Sequence, residues 1–309
     1  MNGSGIWPLI KKSVVSWRKD HASSMGAALA YYTLFSIAPV LIIVIAIAGF
    51  FFGAEAARGE IVSQLRGLLG DDGATAVQGL LESASDPEEG LFATISSLAL
   101  LLLGATTVFA ELQSDLDRIW RAEAKPISGL WAFLRARLLS FGLVLVLAFL
   151  LLVSLVLSAA LAALGNWWGG WFEGWAVLLE IINFIVSLAI TTGLFAVIYK
   201  LLPRTKIAWH DVWIGAAVTA LLFAVGKFLI GLYIGRSGVA SGFGAAGSFV
   251  VLLVWVYYST QIFLLGAEFT WVYTHEFGSR RGQPRPGTAE AAAPTARKTR
   301  AGDRAARTA

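Results

Sequence analysis

Five polar side chains interrupt apolar runs of this sequence where intramembrane chemistry would need them: Glu180, Asn183, Lys227, Gln261 and Glu268. Gln261 and Glu268 stand seven residues apart in the last run, so a helix turning about 100° per residue places both on one face. Lipid offers neither side chain a hydrogen-bond partner. That face must therefore meet protein or water, and the last run is predicted to be a helix that other helices surround.

The residue inventory excludes several kinds of chemistry. The chain has no cysteine, so thiol nucleophiles, disulfides and cysteine-ligated metals are excluded. Its three histidines are far apart and form no metal-binding motif, and no GxxxxGK[ST] phosphate loop is present. We expect no catalytic, cofactor-binding or metal-binding residues, and no enzyme activity.

The composition is that of a polytopic membrane protein. Hydrophobic residues make up 57% of the 309 residues and charged residues 14%, against about 25% charged in soluble domains. Apolar runs of about 20 residues predict an all-α bundle of six transmembrane helices. The predicted spans are about 27–52, 91–109, 138–164, 176–202, 212–234 and 247–273.

Three further segments lie outside these spans. Residues 1–26 alternate apolar and basic positions at helical spacing and are predicted to form an amphipathic helix in the membrane interface; a frayed basic leader is the alternative. Residues 54–90 have helical periodicity interrupted at 70–73 and form a helical loop. Residues 276–309 read as a disordered basic tail. Within the first span, Pro39 removes one helical hydrogen bond and is a candidate hinge or simply a kink.

Basic residues give the orientation. Of the 24 Lys and Arg residues, 20 fall on the side that holds both termini, 3 fall on the opposite side, and Lys227 remains inside a span. Cytoplasmic segments of membrane proteins carry the excess of Lys and Arg. Both termini are therefore predicted to be cytoplasmic, with anionic lipid headgroups as partners of the basic face.

The intramembrane charges then sort by depth. Glu180 and Lys227 fall in the outer third, with Asn183 one turn deeper, and they are predicted to pair or to line one polar cavity; alternatively both charges extend to the outer interface. Glu268 falls near the inner end, where it either joins a polar cluster or simply reaches water. The other members expected in that cluster are Tyr31, Tyr32, Glu111 and Lys200. Gln261 is expected to hydrogen-bond a neighbouring helix.

Four stretches resemble the YihY/BrkB family of bacterial inner-membrane proteins, which once carried the label ribonuclease BN. They are AALAYYTLFSIAPVLIIVIAIAGFFFG, LQSDLDRIW, LLPRTKIAWHDVWIGAAVTALLFAVGKFLIGLY and GFGAAGSFVVLLVWVYYSTQIFLLGAEFTWVY. Where the family pattern has Tyr-Gly-Ala, this chain has Phe243-Gly244-Ala245. The resemblance implies a role in the cell envelope, with export of lipids or lipopolysaccharide precursors suggested for some members.

Three functions follow for comparison. A transporter, flippase-like and acting on an amphipathic lipid or envelope precursor, would use the intramembrane polar groups. A non-transporting scaffold for envelope integrity is the alternative. The ribonuclease label is disfavoured because metal-dependent RNA hydrolysis needs clustered His and Asp ligands, and no nucleic-acid partner is expected.

Overall fold

The computed structural model describes residues 5–85, 107–122, 175–237, 243 and 246–282, and within these residues it is all-helical. Six helices are named here by their bounds: α1 Ile6–Lys19, α2 Ala22–Phe52, α3 Ala54–Ser85, α5 Trp175–Leu201, α6 Trp209–Ser237 and α7 Gly247–Glu276. A further helix, α4, covers residues 107–119. The prediction of an all-α protein is confirmed over these ranges.

Four of the described helices are long and apolar enough to cross a membrane, over Ala22–Phe50, Ile181–Leu201, Trp209–Ile234 and Gly247–Glu276. Large apolar side chains such as Phe228 and Phe184 are more than half exposed on their outer surfaces, as lipid-facing residues are. The span predicted for 138–164, most of that for 91–109, and the tail beyond 282 lie outside the described residues. Six spans and cytoplasmic termini therefore stay predictions.

The first span begins earlier than predicted. Helix α1 ends at Lys19, the chain turns at Asp20 and His21, and α2 begins at Ala22 rather than at residue 27. His21 has a φ of 56° and a ψ of 39°, the left-handed conformation that closes such a turn. The small residues that follow it continue the helix because the apolar run extends to Phe52. Helix α2 runs without interruption through Pro39, and a hinge there stays a prediction.

Helices α5, α6 and α7 pack closely because small residues lie where they cross. A Cβ atom on Gly215 would stand 1.9 Å from Thr270 Oγ1, and one on Gly266 would stand 2.0 Å from Thr219 Oγ1. Tyr199 of α5 joins this contact by donating a hydrogen bond of 2.7 Å to the carbonyl of Phe263. Small residues allow backbones in a membrane to approach and exchange such polar contacts.

Helix α3, which follows the first span, packs against the bundle. Its break at Gly70, with φ 76° and ψ 178°, lies among the glycines that interrupt its helical periodicity. Val77 and Leu81 of α3 are buried against Leu34 of α2 and Leu252 of α7. This segment is thus a packed part of the bundle rather than a helix lying apart from it.

Candidate functional site

The centre of the candidate site is Glu268 of α7, whose side chain is 0% exposed. It stands eight residues before the end of α7, or about 12 Å along the helix axis from Glu276. Neither of its carboxylate oxygens accepts a hydrogen bond from the residues that the structure describes. A buried carboxylate without partners is expensive, so its surroundings decide what it can do.

Three polar groups lie around Glu268: the hydroxyl of Ser16, the carboxyl of Asp20 and the guanidinium of Arg121. The first two lie beside the Glu268 carboxyl without completing a hydrogen bond of normal geometry. These four residues are called the buried acid site below. They come from three separate segments of the chain, so the site exists only in the folded bundle.

Helix α1 supplies Ser16 and, at its end, Asp20. One face of α1, with Leu9, Ser13 and Ser16, is buried, and the helix packs along α7. Asp20 caps the end of the helix, and its backbone N–H donates to the Ser16 carbonyl at 2.9 Å, so it lies one turn after Ser16. The turn at His21 then directs the chain into α2. The position of Asp20 is therefore set by the packing of α1 and by the left-handed residue that follows.

Arg121 reaches the site from the end of α4. Its φ of 49° is again left-handed, and its guanidinium lies 3.6 Å from Asp20 Oδ2. The same guanidinium stands 4.9 Å from the centroid of the Trp271 ring on α7, a cation–π distance. Arg121 therefore connects α4 to both the α1–α2 turn and α7.

Further polar contacts hold the surrounding loops together at this end of the bundle, called here the charged end. The backbone N–H of Arg204 donates to Asp117 Oδ1 at 2.8 Å, and the Arg204 guanidinium lies 3.4 Å from Asp117 Oδ2. Asp211, at the start of α6, accepts hydrogen bonds from the Ser279 N–H at 3.0 Å and the Ser279 hydroxyl at 2.6 Å. The α5–α6 loop and the segment after α7 are thus bound to neighbouring elements.

Two carboxyls on α4 have raised pKa values. Burial and, to a smaller extent, the nearby Glu111 charge raise the pKa of Asp115 to about 7, against a lowering by Arg118. Burial also raises the pKa of Asp117, against a lowering by the N–H and the charge of Arg204. Asp115 is 5% exposed, and its Oδ2 atom has no hydrogen-bond partner among the described residues. α4 therefore carries a second buried acid, separate from the buried acid site.

The cluster predicted around Glu268 has different members in the structure. Gly26 of α2 lies against Gln261, so α2 and α7 are in register there. Tyr31 and Tyr32 lie farther along α2 in the direction away from Glu268, and Tyr31 is separated from it by about 18 Å along the bundle. The prediction that these tyrosines share the level of Glu268 placed the start of the first span level with the end of the last, whereas the contact of Gly26 with Gln261 sets a different register between α2 and α7.

The two remaining members of that predicted cluster make other contacts. Lys200 donates a hydrogen bond to the carbonyl of Ile207 and lies 5.2 Å from the centroid of the Trp209 ring. Glu111 interacts with Asp115 on its own helix. Lys200 and Glu111 both belong to the charged end. The residues found beside Glu268 are Asp20 and Arg121, in place of the predicted Lys200 and Glu111.

Gln261 lies between α7 and α2. Its side-chain nitrogen is 3.5 Å from the Ser23 carbonyl, and a Cβ atom on Gly26 would stand 2.0 Å from that nitrogen. Gln261 is half-buried, and its side-chain oxygen has no hydrogen-bond partner among the described residues. Its contacts are those of a residue at a helix crossing.

The predicted outer pair is described only in part. Lys227 and Asn183 are both exposed on the surfaces of α6 and α5. The side chain of Glu180 lies outside the described part of the structure, so its pairing with Lys227 stays a prediction. The polar contacts that the structure describes around Glu268 lie instead at the charged end.

Sequence reasoning missed Ser16, Asp20 and Arg121. Asp20 stands just before the first apolar run, and Arg121 follows the LQSDLDRIW stretch directly. A signal was present in both cases, namely a charge next to an apolar segment. Nothing in the sequence relates the two positions, because their contact depends on the packing of α1 and α4 against α7.

Comparison of the sequence with known proteins identifies a family for this chain. Residues 13–291 match the family model described as virulence factor BrkB. The chain is similar to a UPF0761 membrane protein of Psychromonas ingrahamii, with 29% identity over 271 residues, 82% of this chain and 84% of the relative. It is also similar to one of Verminephrobacter eiseniae, with 28% identity over 259 residues and 82% of this chain.

The coverage of the relatives differs. The chain spans 59% of the length of the Verminephrobacter eiseniae protein, and 56% of a Rhodospirillum centenum UPF0761 membrane protein to which it is 26% identical. No solved structure matches the chain. The family model nevertheless covers most of the sequence, including every residue of the buried acid site. The chain therefore belongs to the virulence factor BrkB family and is an integral membrane protein.

Proposed function

We propose that this protein is a transporter of the bacterial inner membrane that moves an amphipathic lipid or envelope precursor, in the manner of a flippase. The observation that carries the proposal is Glu268, a fully buried carboxyl group inside a helix long and apolar enough to span a membrane, whose oxygens accept no hydrogen bond from the described residues. Ionisable residues inside membrane spans are costly, and they mark ion, proton or substrate pathways. The protein is proposed to act as a transport protein and not as an enzyme.

The charged end is proposed to face the cytoplasm. Segments at this end carry cations that include Lys12, Arg204 and Arg280, and the count of Lys and Arg over the sequence favours this side by 20 to 3. The positive-inside rule then gives cytoplasmic termini. In this orientation the buried acid site lies toward the cytoplasmic mouth of the bundle, where a substrate made in the cell would first meet the protein.

The proposed contact with anionic lipid headgroups rests on α1. Its exposed surface carries Trp7, Ile10 and Val14 at helical spacing, with Lys11 and Arg18 also exposed. A helix with apolar and basic residues on one exposed side suits the membrane interface. Its opposite side covers Glu268 through Ser16, so the same helix would contact both the headgroups and the buried acid site.

The protein is not proposed to hydrolyse a nucleotide through a phosphate loop. The sequence has no GxxxxGK[ST] phosphate loop. An ion gradient or a partner protein is proposed to drive any net movement.

The test is lipid translocation in proteoliposomes. Wild-type protein is reconstituted with fluorescent phospholipids and envelope precursors, and their transfer between leaflets is measured against the Glu268→Gln variant and protein-free vesicles. We expect transfer of at least one lipid class to fall at least about tenfold in the variant. Transfer by the Glu268→Gln, Lys227→Ala double variant equal to that of wild-type protein would contradict the proposal. Ser279→Ala serves as a control, because it alters the charged end away from Glu268.

A scaffold without transport activity is the second candidate, and the packing of α3 favours it. Helix α3 buries Val77 and Leu81 against α2 and α7, so its exposed face is held in a fixed position on the bundle. If α3 is a docking platform, substitutions on its exposed face, such as Arg66→Glu, should reproduce any envelope defect of cells that lack the protein, while lipid transfer stays unchanged. The same defect in cells that carry Glu268→Gln would favour transport instead.

A further inference from the structure

The charges of the buried acid site do not balance. Asp20 and Glu268 contribute two carboxylates, and Arg121 contributes one guanidinium. With both acids ionised the site carries a net charge of about −1 in a part of the bundle where Glu268 has no access to solvent. Uncompensated charge in a low-dielectric interior is costly, and one additional positive charge would remove that cost.

The groups facing Glu268 leave room for that positive charge. From α1 and the turn after it come Ser16 and Asp20, and from the end of α4 comes Arg121. The guanidinium of Arg121 is shared with Asp20 at 3.6 Å and with the Trp271 ring. Both oxygens of Glu268 stay without hydrogen bonds among the described residues. The oxygens available at this point are therefore those of two carboxyls and one hydroxyl.

On the far side of α7, the described contacts next to Glu268 involve hydroxyl groups and not charges. Next to Glu268, Gly266 lies against the hydroxyls of Thr219 and Tyr199 from α6 and α5. These hydroxyls are satisfied by carbonyls, since Thr219 donates to Gly215 and Tyr199 donates to Phe263. Compensation for Glu268 must consequently come from the side of Asp20.

Access to the site is from the charged end. The Asp20 side chain is 15% exposed and the Arg121 side chain 27% exposed, whereas Glu268 is fully buried. Asp20 can therefore be reached from solvent, and its carboxyl lies beside that of Glu268. Left-handed backbone positions both Asp20 and Arg121: it occurs at His21, directly after Asp20, and at Arg121 itself. These are the two non-glycine residues with positive φ in the described ranges. Such costly conformations cluster at functional sites.

We propose that the carboxyls of Asp20 and Glu268, together with the Ser16 hydroxyl, bind one exchangeable monovalent cation, a proton or a sodium ion. The binding stands on the geometry above, and its use as the driving ion rests on the proposed transport function. A divalent metal suits the site less well, because no group of three or more His, Asp or Glu side chains comes together within the described ranges.

The experiment measures the thermal unfolding midpoint of the purified, full-length protein in detergent. One series varies sodium from about 1 to about 100 mM at constant ionic strength, with choline as the replacement. The other varies pH from about 5 to about 9 without sodium. Because a cation that binds the folded state stabilises it, the midpoint should change by about 2–4 °C for each tenfold change in the cation that binds.

The direction of the shift identifies the cation. A midpoint that rises with sodium at constant pH identifies sodium, and a midpoint that falls as pH rises without a sodium effect identifies a proton. All proteins in the pH series, the reference included, also carry Asp115→Asn, because Asp115, with a pKa of about 7, would give a similar pH dependence. In either case Glu268→Gln removes the dependence, and Asp20→Asn removes or weakens it. The control variant Asp211→Asn, in another buried acid, keeps the dependence. Equal dependence of wild-type protein and both variants on sodium and pH would overturn the proposal. Because no lipid transfer is measured, this outcome is independent of the transport test.

Discussion

Asp211 and Glu268 are two buried carboxylates at the charged end, and they differ in the groups that stabilise their negative charge. Asp211 is 1% exposed and accepts two hydrogen bonds from Ser279, of 3.0 and 2.6 Å. It also stands in the first turn of α6, where the partial positive charge of a helix N-terminus favours a carboxylate. Glu268 is 0% exposed, lies within α7 and accepts no hydrogen bond from the described residues.

The difference distinguishes an acid bound into the structure from the acid that we propose to act in transport. Asp211 fastens the segment after α7 to α6, and Gly278 allows this because a Cβ atom there would stand 2.6 Å from Asp211 Oδ1. Removing one partner of such a pair leaves buried polar groups unsatisfied and costs stability. Glu268 has no comparable bonds to lose, so its replacement should affect function more than stability.

The largest change in stability is expected for Asp211→Ala. Loss of the carboxylate removes two charge-assisted hydrogen bonds and leaves the Ser279 N–H without its acceptor. The free energy of unfolding should fall by about 3 kcal/mol. Chemical denaturation followed by tryptophan fluorescence checks this, with Ser279→Ala as the milder control because it keeps the N–H. A loss under about 1 kcal/mol would show that the fastening is weak.

The next largest change is expected for Arg121→Gln. It removes the guanidinium beside Asp20 and the cation–π contact with Trp271, so two carboxylates remain without a cation. We expect a loss of about 2 kcal/mol, moderated by the partial exposure of both side chains. Adding Glu268→Gln should restore part of it, because one of the two charges is then gone. Strict additivity of the two substitutions would show that Arg121 and Glu268 are not coupled.

A smaller, pH-dependent change is expected for Asp115→Asn. Burial raises the pKa of Asp115 to about 7 from 3.8, so the folded state keeps a proton that the unfolded state has already lost. The stability of wild-type protein should therefore fall as pH rises from about 4 to about 7, and the variant should lack the part of that fall that Asp115 contributes. Unfolding midpoints at several pH values measure it; parallel curves for the two proteins would contradict the assignment.

The smallest change is expected for Lys12→Gln. Lys12 pairs with Glu276 at 2.8 Å, but the two side chains are 50% and 25% exposed. Exposed pairs contribute at most about 1 kcal/mol, and here we expect under about 0.5 kcal/mol. The measurement is the same denaturation at low and at high salt. A larger loss of stability would mean that this pair keeps α1 packed over Glu268. The burial of Glu268 would then depend on the pair.

The membrane helices were predictable from the sequence because their length follows from apolar composition. Helices α5, α6 and α7 begin and end within a few residues of the predicted spans, since a long apolar run can satisfy its backbone in lipid only as a helix. Glu268 was predictable as a candidate for the same reason, because a charge inside such a run is expensive.

The partners of Glu268 were not predictable. Asp20 and Arg121 are distant in the sequence, and their contact depends on left-handed backbone at His21 and Arg121 that no local pattern indicates. The depth predicted for Tyr31 also differs from the structure, because the prediction placed the start of the first span level with the end of the last span. The real register between α2 and α7 is set by the close contact of Gly26 with Gln261.

The most direct test of the account measures unfolding and lipid transfer together in Glu268→Gln and Asp211→Asn. The account predicts that Glu268→Gln unfolds at or above the wild-type midpoint while transfer falls at least about tenfold. It predicts that Asp211→Asn unfolds at a lower midpoint while the folded protein still transfers lipid. A midpoint for Glu268→Gln lowered as much as that of Asp211→Asn, with wild-type transfer, would contradict the account and make Glu268 a structural residue.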